Sequence, residues 1–220
     1  MIRAVLFDMD GILYDSEPYY FRSFAEILSS LGYSGPQERL YEAVGMNEVN
    51  TYLYYSGLLE GHCAPEEIKE EAGKYFLAHP MDCRALMFED VPQALETLDK
   101  EGIRMACCSA SPLSVVLKSL DDMGIRKYFR FVLSGNDEIR PKPHPDIYLK
   151  AAERLGLSAS ECIVYEDSTR GIESGRNAGM KVCARRDDRF RQDQSMADCT
   201  VMNAAEMAAL VIKENEPWKK

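Results

Sequence analysis

Residues 1–7 form a short apolar run rich in strand-favouring side chains, and the run stops abruptly at Asp8. Such a run suits a strand buried on both faces of a parallel sheet. Similar runs recur at 103–108, 131–133, 162–165 and 181–184. The stretches between them have helical periodicity. Residues 92–100 carry Leu95 and Leu98, and 145–155 carry Ile147, Leu149, Ala151 and Ala152. Residues 112–123 open with Pro112 at an expected first helical position, behind Ser111 as the expected N-cap. Residues 169–178 stop at Gly179, a natural helix terminator. Strand and helix alternate from about residue 90, which predicts a doubly wound α/β sheet.

Residues 16–80 break this rhythm. They read as mostly helical, with segments near 17–31, 36–43, 47–56 and 65–78, punctuated by Gly32, Gly35-Pro36, Gly45, Gly57 and Gly61. Nine of the twelve tyrosines fall between Tyr14 and Tyr75. The expectation is a core of residues 1–15 and 81–220, with a helical cap of residues 16–80 inserted behind the first strand. The cap tyrosines are expected to pack between helices more than to stack on a ligand. The mixed-charge run 185–194 reads as a solvated loop.

Composition narrows the partners. With 46% hydrophobic and 28% charged residues the chain is ordinary globular material. A net charge of −10 disfavours nucleic acid and anionic membranes. It also means that a phosphorylated ligand needs local cations. The seven cysteines form no C-x-x-C pair and the three histidines are scattered, so a zinc site is not expected. Reduced thiols and the lack of a signal-peptide pattern lead us to expect a soluble, cytoplasmic protein. We expect a monomer or weak oligomer.

Open parallel sheets bind ligands at the carboxyl ends of their strands. In order, these ends read Asp8-Met9-Asp10-Gly11, Ser109-Ala110-Ser111, Arg140-Pro141-Lys142-Pro143 and Glu166-Asp167-Ser168. Phosphoryl transfer needs this mixture. Asp8 can attack phosphorus and form an aspartyl-phosphate. Asp10, two residues on, can protonate the leaving oxygen and later activate water. Gly11 lets the chain turn. Glu166 and Asp167 offer hard oxygen ligands for Mg2+. Ser109 offers a hydroxyl to a phosphate oxygen, and Lys142 places a positive charge there. His144 reads as a surface or supporting residue. Any one of these motifs is commonplace; all four at successive strand ends point to catalysis.

The set Asp8-x-Asp10-Gly11, Ser109-Ala110-Ser111, Lys142-Pro143-x-Pro145-Asp146 and Glu166-Asp167-Ser168-x-x-Gly171-Ile172 resembles the haloacid dehalogenase-like hydrolases. The likeness is to the branch of β-phosphoglucomutase and small-metabolite phosphatases. Ala178-Gly179-Met180 and Ala197-Asp198 also fit its downstream pattern. The resemblance implies a Rossmann-like core with a helical cap that closes over it. It implies Asp8 as nucleophile and Asp10 as acid and base. Mg2+ would be held by Asp8, the Asp10 backbone carbonyl and Asp167, with Glu166 close by. Phosphate would be bound by Ser109, Ala110 and Lys142.

Departures from the mutase pattern favour a phosphatase. Tyr20 stands where the mutase has a histidine, and Pro112 where it has a lysine. The specificity loop reads Gly45-Met46-Asn47-Glu48, without the arginine that would grip a second phosphate. Asn47 and Glu48 suit the hydroxyls of an uncharged leaving group instead. Lys74 is a further cap candidate for reaching the site. The expected activity is Mg2+-dependent hydrolysis of a small phosphorylated metabolite, such as a sugar phosphate, polyol phosphate or nucleotide. The alternatives are a sugar phosphomutase and a receiver-like phospho-switch. Receivers carry neither Asp-x-Asp-Gly on the first strand nor a helical insertion behind it.

Overall fold

The computed structural model describes residues 1–135 and 139–216. Six parallel strands form one sheet in the order β3-β2-β1-β4-β5-β6. They are β1 (Ala4–Phe7), β2 (Arg104–Ser109), β3 (Val132–Ser134), β4 (Cys162–Glu166), β5 (Lys181–Arg185) and β6 (Cys199–Val201). The helices are α1 (Glu17–Ser30), α2 (Glu48–Leu58), α3 (Pro65–Ala78), α4 (Cys83–Leu86), α5 (Val91–Lys100), α6 (Leu113–Asp122), α7 (Asp146–Leu155), α8 (Thr169–Asn177) and α9 (Ala204–Asn215).

The central strands are apolar along most of their length because helices cover both faces. Val5 and Phe7 point into one core with Leu95, Leu98, Val116 and Met207. Ala4 and Leu6 point into the other with Ile147, Ala151, Val164 and Ile172. This alternation fixes register, since a slip of one residue would exchange the two faces. Phe7 lies level with Cys107 of β2 and Tyr165 of β4. The residues that follow all three therefore emerge together, where the strand order reverses.

A third apolar cluster is built from α1–α3 and the turn before α2, with Phe24, Leu28, Leu40, Tyr55 and Ile68. Here the tyrosines mostly pack against other rings, as Tyr55 does on Phe24 at 4.9 Å. Residues Gln37–Ala43 wind as a 3-10 helix rather than an α-helix.

Two readings need correction. Ser111 does not cap α6; Pro112 occupies the cap position without a side-chain hydrogen bond, and Ser111 is engaged elsewhere. The run 185–194 is more than a solvated loop. Phe190 is buried against Phe21 and Tyr41 of the helical insertion, Arg189 pairs with Asp15 and Asp187, and Gln194 donates to the carbonyls of Asp167 and Arg185. Some of its charges pair within the run, but Arg189 also reaches Asp15, and its one ring is buried by partners distant in sequence. Strand β6 and helix α9 extend the fold beyond the elements expected from the sequence. No helix among the described residues is long and apolar enough to cross a membrane. All seven cysteines are free thiols.

Candidate active site

Asp8 follows β1 directly, its backbone N–H donating to the Tyr165 carbonyl. Lys142 Nζ lies 2.6 Å from Asp8 Oδ1 and 2.6 Å from Glu166 Oε1, and also donates to the Cys108 carbonyl at 3.1 Å. The Tyr148 ring lies 5.1 Å from the same ammonium. Lys142 precedes a cis Lys142–Pro143 peptide and is only 5% exposed. Burial works against its charge, but Asp8 and Glu166 outweigh that and hold it protonated well above the usual lysine range.

Glu166 is fully engaged. Oε1 accepts from Lys142 and the Tyr148 hydroxyl, while Oε2 accepts from the backbone N–H groups of Asp167 and Ser168 and from the Ser168 hydroxyl. Its role is that of an anchor, which fixes Lys142 and the loop opening α8. Among the described residues Asp167 makes no such side-chain bond, and it packs where Gly11 leaves room. Gly11 has φ +70°, and a Cβ there would lie 2.2 Å from Asp167 Oδ2. One oxygen from each of Asp8, Glu166 and Asp167 can be chosen so that all lie within 4.8 Å of one another. Three hard, buried carboxylates suit Mg2+, with Asp8 and Asp167 holding the uncommitted oxygens.

Asp10 is held apart from that trio. Tyr14 Oη donates to its Oδ1 at 2.8 Å and Ser111 Oγ to its Oδ2 at 2.9 Å. Burial raises its carboxyl, and the hydrogen bonds from Tyr14, Ser111 and Ser16 oppose the rise. The protein's own groups lift Asp8 to about 8: burial leads, Lys142 opposes, and Glu166 and Asp10 add. Burial likewise raises Asp167, with Glu166, Glu17 and Asp8 adding. So many crowded carboxylates are costly without a divalent cation to offset them.

Above this floor lies a cleft of about 430 Å3, between the sheet edge and the helical insertion. Ala110 and Ser111 line it; Ser109 is fully buried, and its Oγ accepts the Ser111 N–H. Tyr20, Gly45, Met46 and Glu48 also line it. Gly45, at φ +75°, brings the insertion against Ser168, whose Oγ would be 2.7 Å from an added Cβ. Asn47 instead caps α2, accepting the Asn50 N–H. Lys74 does not line the cleft. It is exposed and pairs with Glu70 and Glu71 one turn away on its own helix, so it supplies no cation there.

The sequence reading missed Ser111 as a partner of Asp10, and it missed Tyr14, Tyr148 and Glu17. Glu17 was masked by its position, since an acidic residue in a first helical turn ordinarily serves the helix dipole. It is 8% exposed, lines the cleft, and is raised to about 8 by burial first, then by Asp10, Asp8, Asp187 and Asp15. A carboxyl raised in the folded state stabilises fully below its unfolded pKa of about 4.3 and loses that stability as pH rises through about 8. Stability should therefore fall across this window, by at most about 1.4 kcal/mol per pH unit for this group. Glu17→Gln is expected to flatten that part of the profile in chemical denaturation at pH 5, 6.5 and 8. An unchanged slope would show that Glu17 does not hold its proton.

Comparison with known proteins adds independent findings. Residues 5–185 match the family model described as haloacid dehalogenase-like hydrolase. The chain is similar to a phosphorylated carbohydrates phosphatase of Thermotoga maritima, 30% identical over 186 residues, covering 82% of this chain and 83% of the relative. It is similar to hexitol phosphatase B of Escherichia coli, 28% identical over 216 residues, covering 94% and 95%. In fold it resembles the crystal structure of a β-phosphoglucomutase from Clostridium difficile, with a TM-score of 0.83, 21% identity and 100% coverage of both chains.

Proposed function

Since the chain belongs to the haloacid dehalogenase-like hydrolases, we propose that it is a Mg2+-dependent phosphatase of small phosphate monoesters, of sugar or polyol type, working through an aspartyl-phosphate on Asp8. The observation that carries this reading is the Lys142 ammonium fixed 2.6 Å from Asp8 and 2.6 Å from Glu166, at the floor of the cleft.

An Asp8 carboxylate oxygen attacks phosphorus, and the bond to the leaving oxygen breaks. Asp10 gives its proton to that oxygen, so a neutral alcohol departs. Asp10, now a carboxylate, takes a proton from water as the water attacks the same phosphorus. The Asp8–phosphorus bond breaks and inorganic phosphate leaves. Lys142 and the Ser109-Ala110 loop face the charge that builds on the phosphoryl oxygens. Mg2+, held by Asp8, Asp167 and the Asp10 backbone carbonyl, would supply further positive charge to those oxygens and keep Asp8 ionised. The helical insertion excludes water and shapes the leaving-group pocket.

A mutase needs a second anion grip on the cap side. Among the described residues that line the cleft, the only lysines or arginines are Lys118 and Lys142. Lys142 belongs to Asp8 and Glu166, and Lys118 pairs with Asp122. This favours net hydrolysis.

Phosphate release from a panel of phosphorylated sugars, polyols and nucleotides tests the reading. Release from at least one class, dependent on Mg2+, is expected; isomerised product without release would point to a mutase. The metal has its own test. Mg2+ at about 100 times its Kd is expected to stabilise the protein by about 2.7 kcal/mol, and Asp167→Asn to abolish that gain. A melting temperature indifferent to Mg2+ in the native protein would remove the metal from the account.

A further inference from the structure

We propose that the leaving group of the preferred substrate carries an ammonium, and that Glu17 receives it. This rests on the phosphatase reading and adds the chemistry that the cap side of the cleft selects.

Glu17 opens α1, is 8% exposed and lines the cleft. Among the described residues no hydrogen bond or ion pair holds its carboxylate. Asp10 has Tyr14 and Ser111, and Glu166 has five donors. Glu48, the other cap carboxylate in the cleft, has Lys69 at 3.7 Å and the Tyr52 hydroxyl at 3.4 Å. A buried carboxyl without a partner is costly to ionise, and a cationic ligand is the natural group to stabilise its charged form. The proposed mechanism gives Glu17 no other task.

The surroundings specify that ligand. Tyr20, Phe24, Tyr55 and Phe76 line the same cleft. Phe24 lies 4.9 Å from Tyr55 and 5.7 Å from Phe76, and Tyr20 lies 6.0 Å from Phe76. Glu17 is close enough to act on two of these rings. The Tyr55 phenol is pushed up by burial and then by the Glu17 charge; the Tyr20 phenol is pushed up by burial, then by Asp10 and Glu17. Neither hydroxyl has a hydrogen-bond partner among the described residues. Aromatic faces around a carboxylate attract organic cations, because ring quadrupole and charge act in the same sense. A hydroxyl could hydrogen-bond to the Glu17 carboxyl, but only a cation favours its ionised form. An ammonium satisfies both carboxylate and rings, and no cation of the cap competes for the place. The phosphate end meets Lys142 and the amine end meets Glu17, so the fitting substrate is a zwitterionic phosphorylated amino alcohol or amino sugar.

Matched esters that differ only by amine for hydroxyl test this. 2-Aminoethyl phosphate is compared with 2-hydroxyethyl phosphate, and glucosamine 6-phosphate with glucose 6-phosphate. In at least one pair kcat/KM is expected to favour the amine by about tenfold or more, chiefly through KM. Glu17→Gln is expected to bring that ratio to about one. The inference is overturned if neither pair favours the amine, or if the ratio survives Glu17→Gln. p-Nitrophenyl phosphate separates the two levels of the argument. If it is hydrolysed while the amine preference is absent, only the role of Glu17 is lost. If no ester is hydrolysed at all, the phosphatase reading itself fails.

Discussion

Asp8→Asn is expected to lower kcat by on the order of 10⁴-fold or more, while the protein stays folded. The amide nitrogen cannot attack phosphorus, and the amide oxygen is a poor nucleophile that carries no charge to Mg2+. The fold should tolerate the change. Burial lifts the Asp8 carboxyl to about 8 despite Lys142, and crowding by Glu166 and Asp10 adds to the rise. A neutral isostere removes that crowding, and Lys142 keeps Glu166 and the Cys108 carbonyl as acceptors. The melting temperature without metal should be unchanged or raised, as when a strained functional group is relaxed. Phosphate release and thermal unfolding, measured on one preparation, check both halves. Activity within tenfold of the native protein would remove Asp8 as the nucleophile.

Asp10→Asn should slow turnover by about 10²–10⁴-fold, and its effect should depend on the leaving group. An alkoxide leaving from a sugar phosphate needs a proton in the first step. p-Nitrophenolate does not, so with that ester the first step should largely survive. Breakdown of the aspartyl-phosphate still lacks the base that activates water. The variant is therefore expected to release a burst of p-nitrophenolate, about one per active site, followed by slow turnover. Equal losses on both ester types, with no burst, would assign Asp10 a supporting role only. The bonds from Tyr14 and Ser111 to Asp10 give the native carboxyl one fixed orientation for both proton transfers.

Much of the site was legible because it hangs on strand ends. The abrupt switch from apolar to acidic at Phe7-Asp8 and at Tyr165-Glu166 marks where buried strands reach the sheet edge, and the parallel register sets the two level. Lys142 was legible from its prolines, and the structure brings it to Asp8 across 134 residues of sequence. What stayed hidden depends on partners that no local pattern records. Ser111 before Pro112 reads as a helix cap, yet its hydroxyl turns to Asp10. Phe190 sits in a run of charges, and only the rings of Phe21 and Tyr41 bury it. Glu17 looks like a routine first-turn acid until the cleft above it is built. Lys74 looked free to reach the cleft, and neighbours three and four residues back on its own helix hold it. Strand β6 is three residues long with an exposed Thr200, too short for alternation to declare it.

The most direct test of the account is to find the phosphoryl group on the chain. Asp10→Asn enzyme is mixed with p-nitrophenyl phosphate and Mg2+, quenched in acid during the burst, and treated with borohydride. Borohydride reduces an acyl phosphate to the alcohol, and peptide mass spectrometry locates the reduced side chain. Reduction at residue 8 alone, in step with the burst, is expected. Turnover with no modified residue 8, or with the label on another side chain, would contradict it.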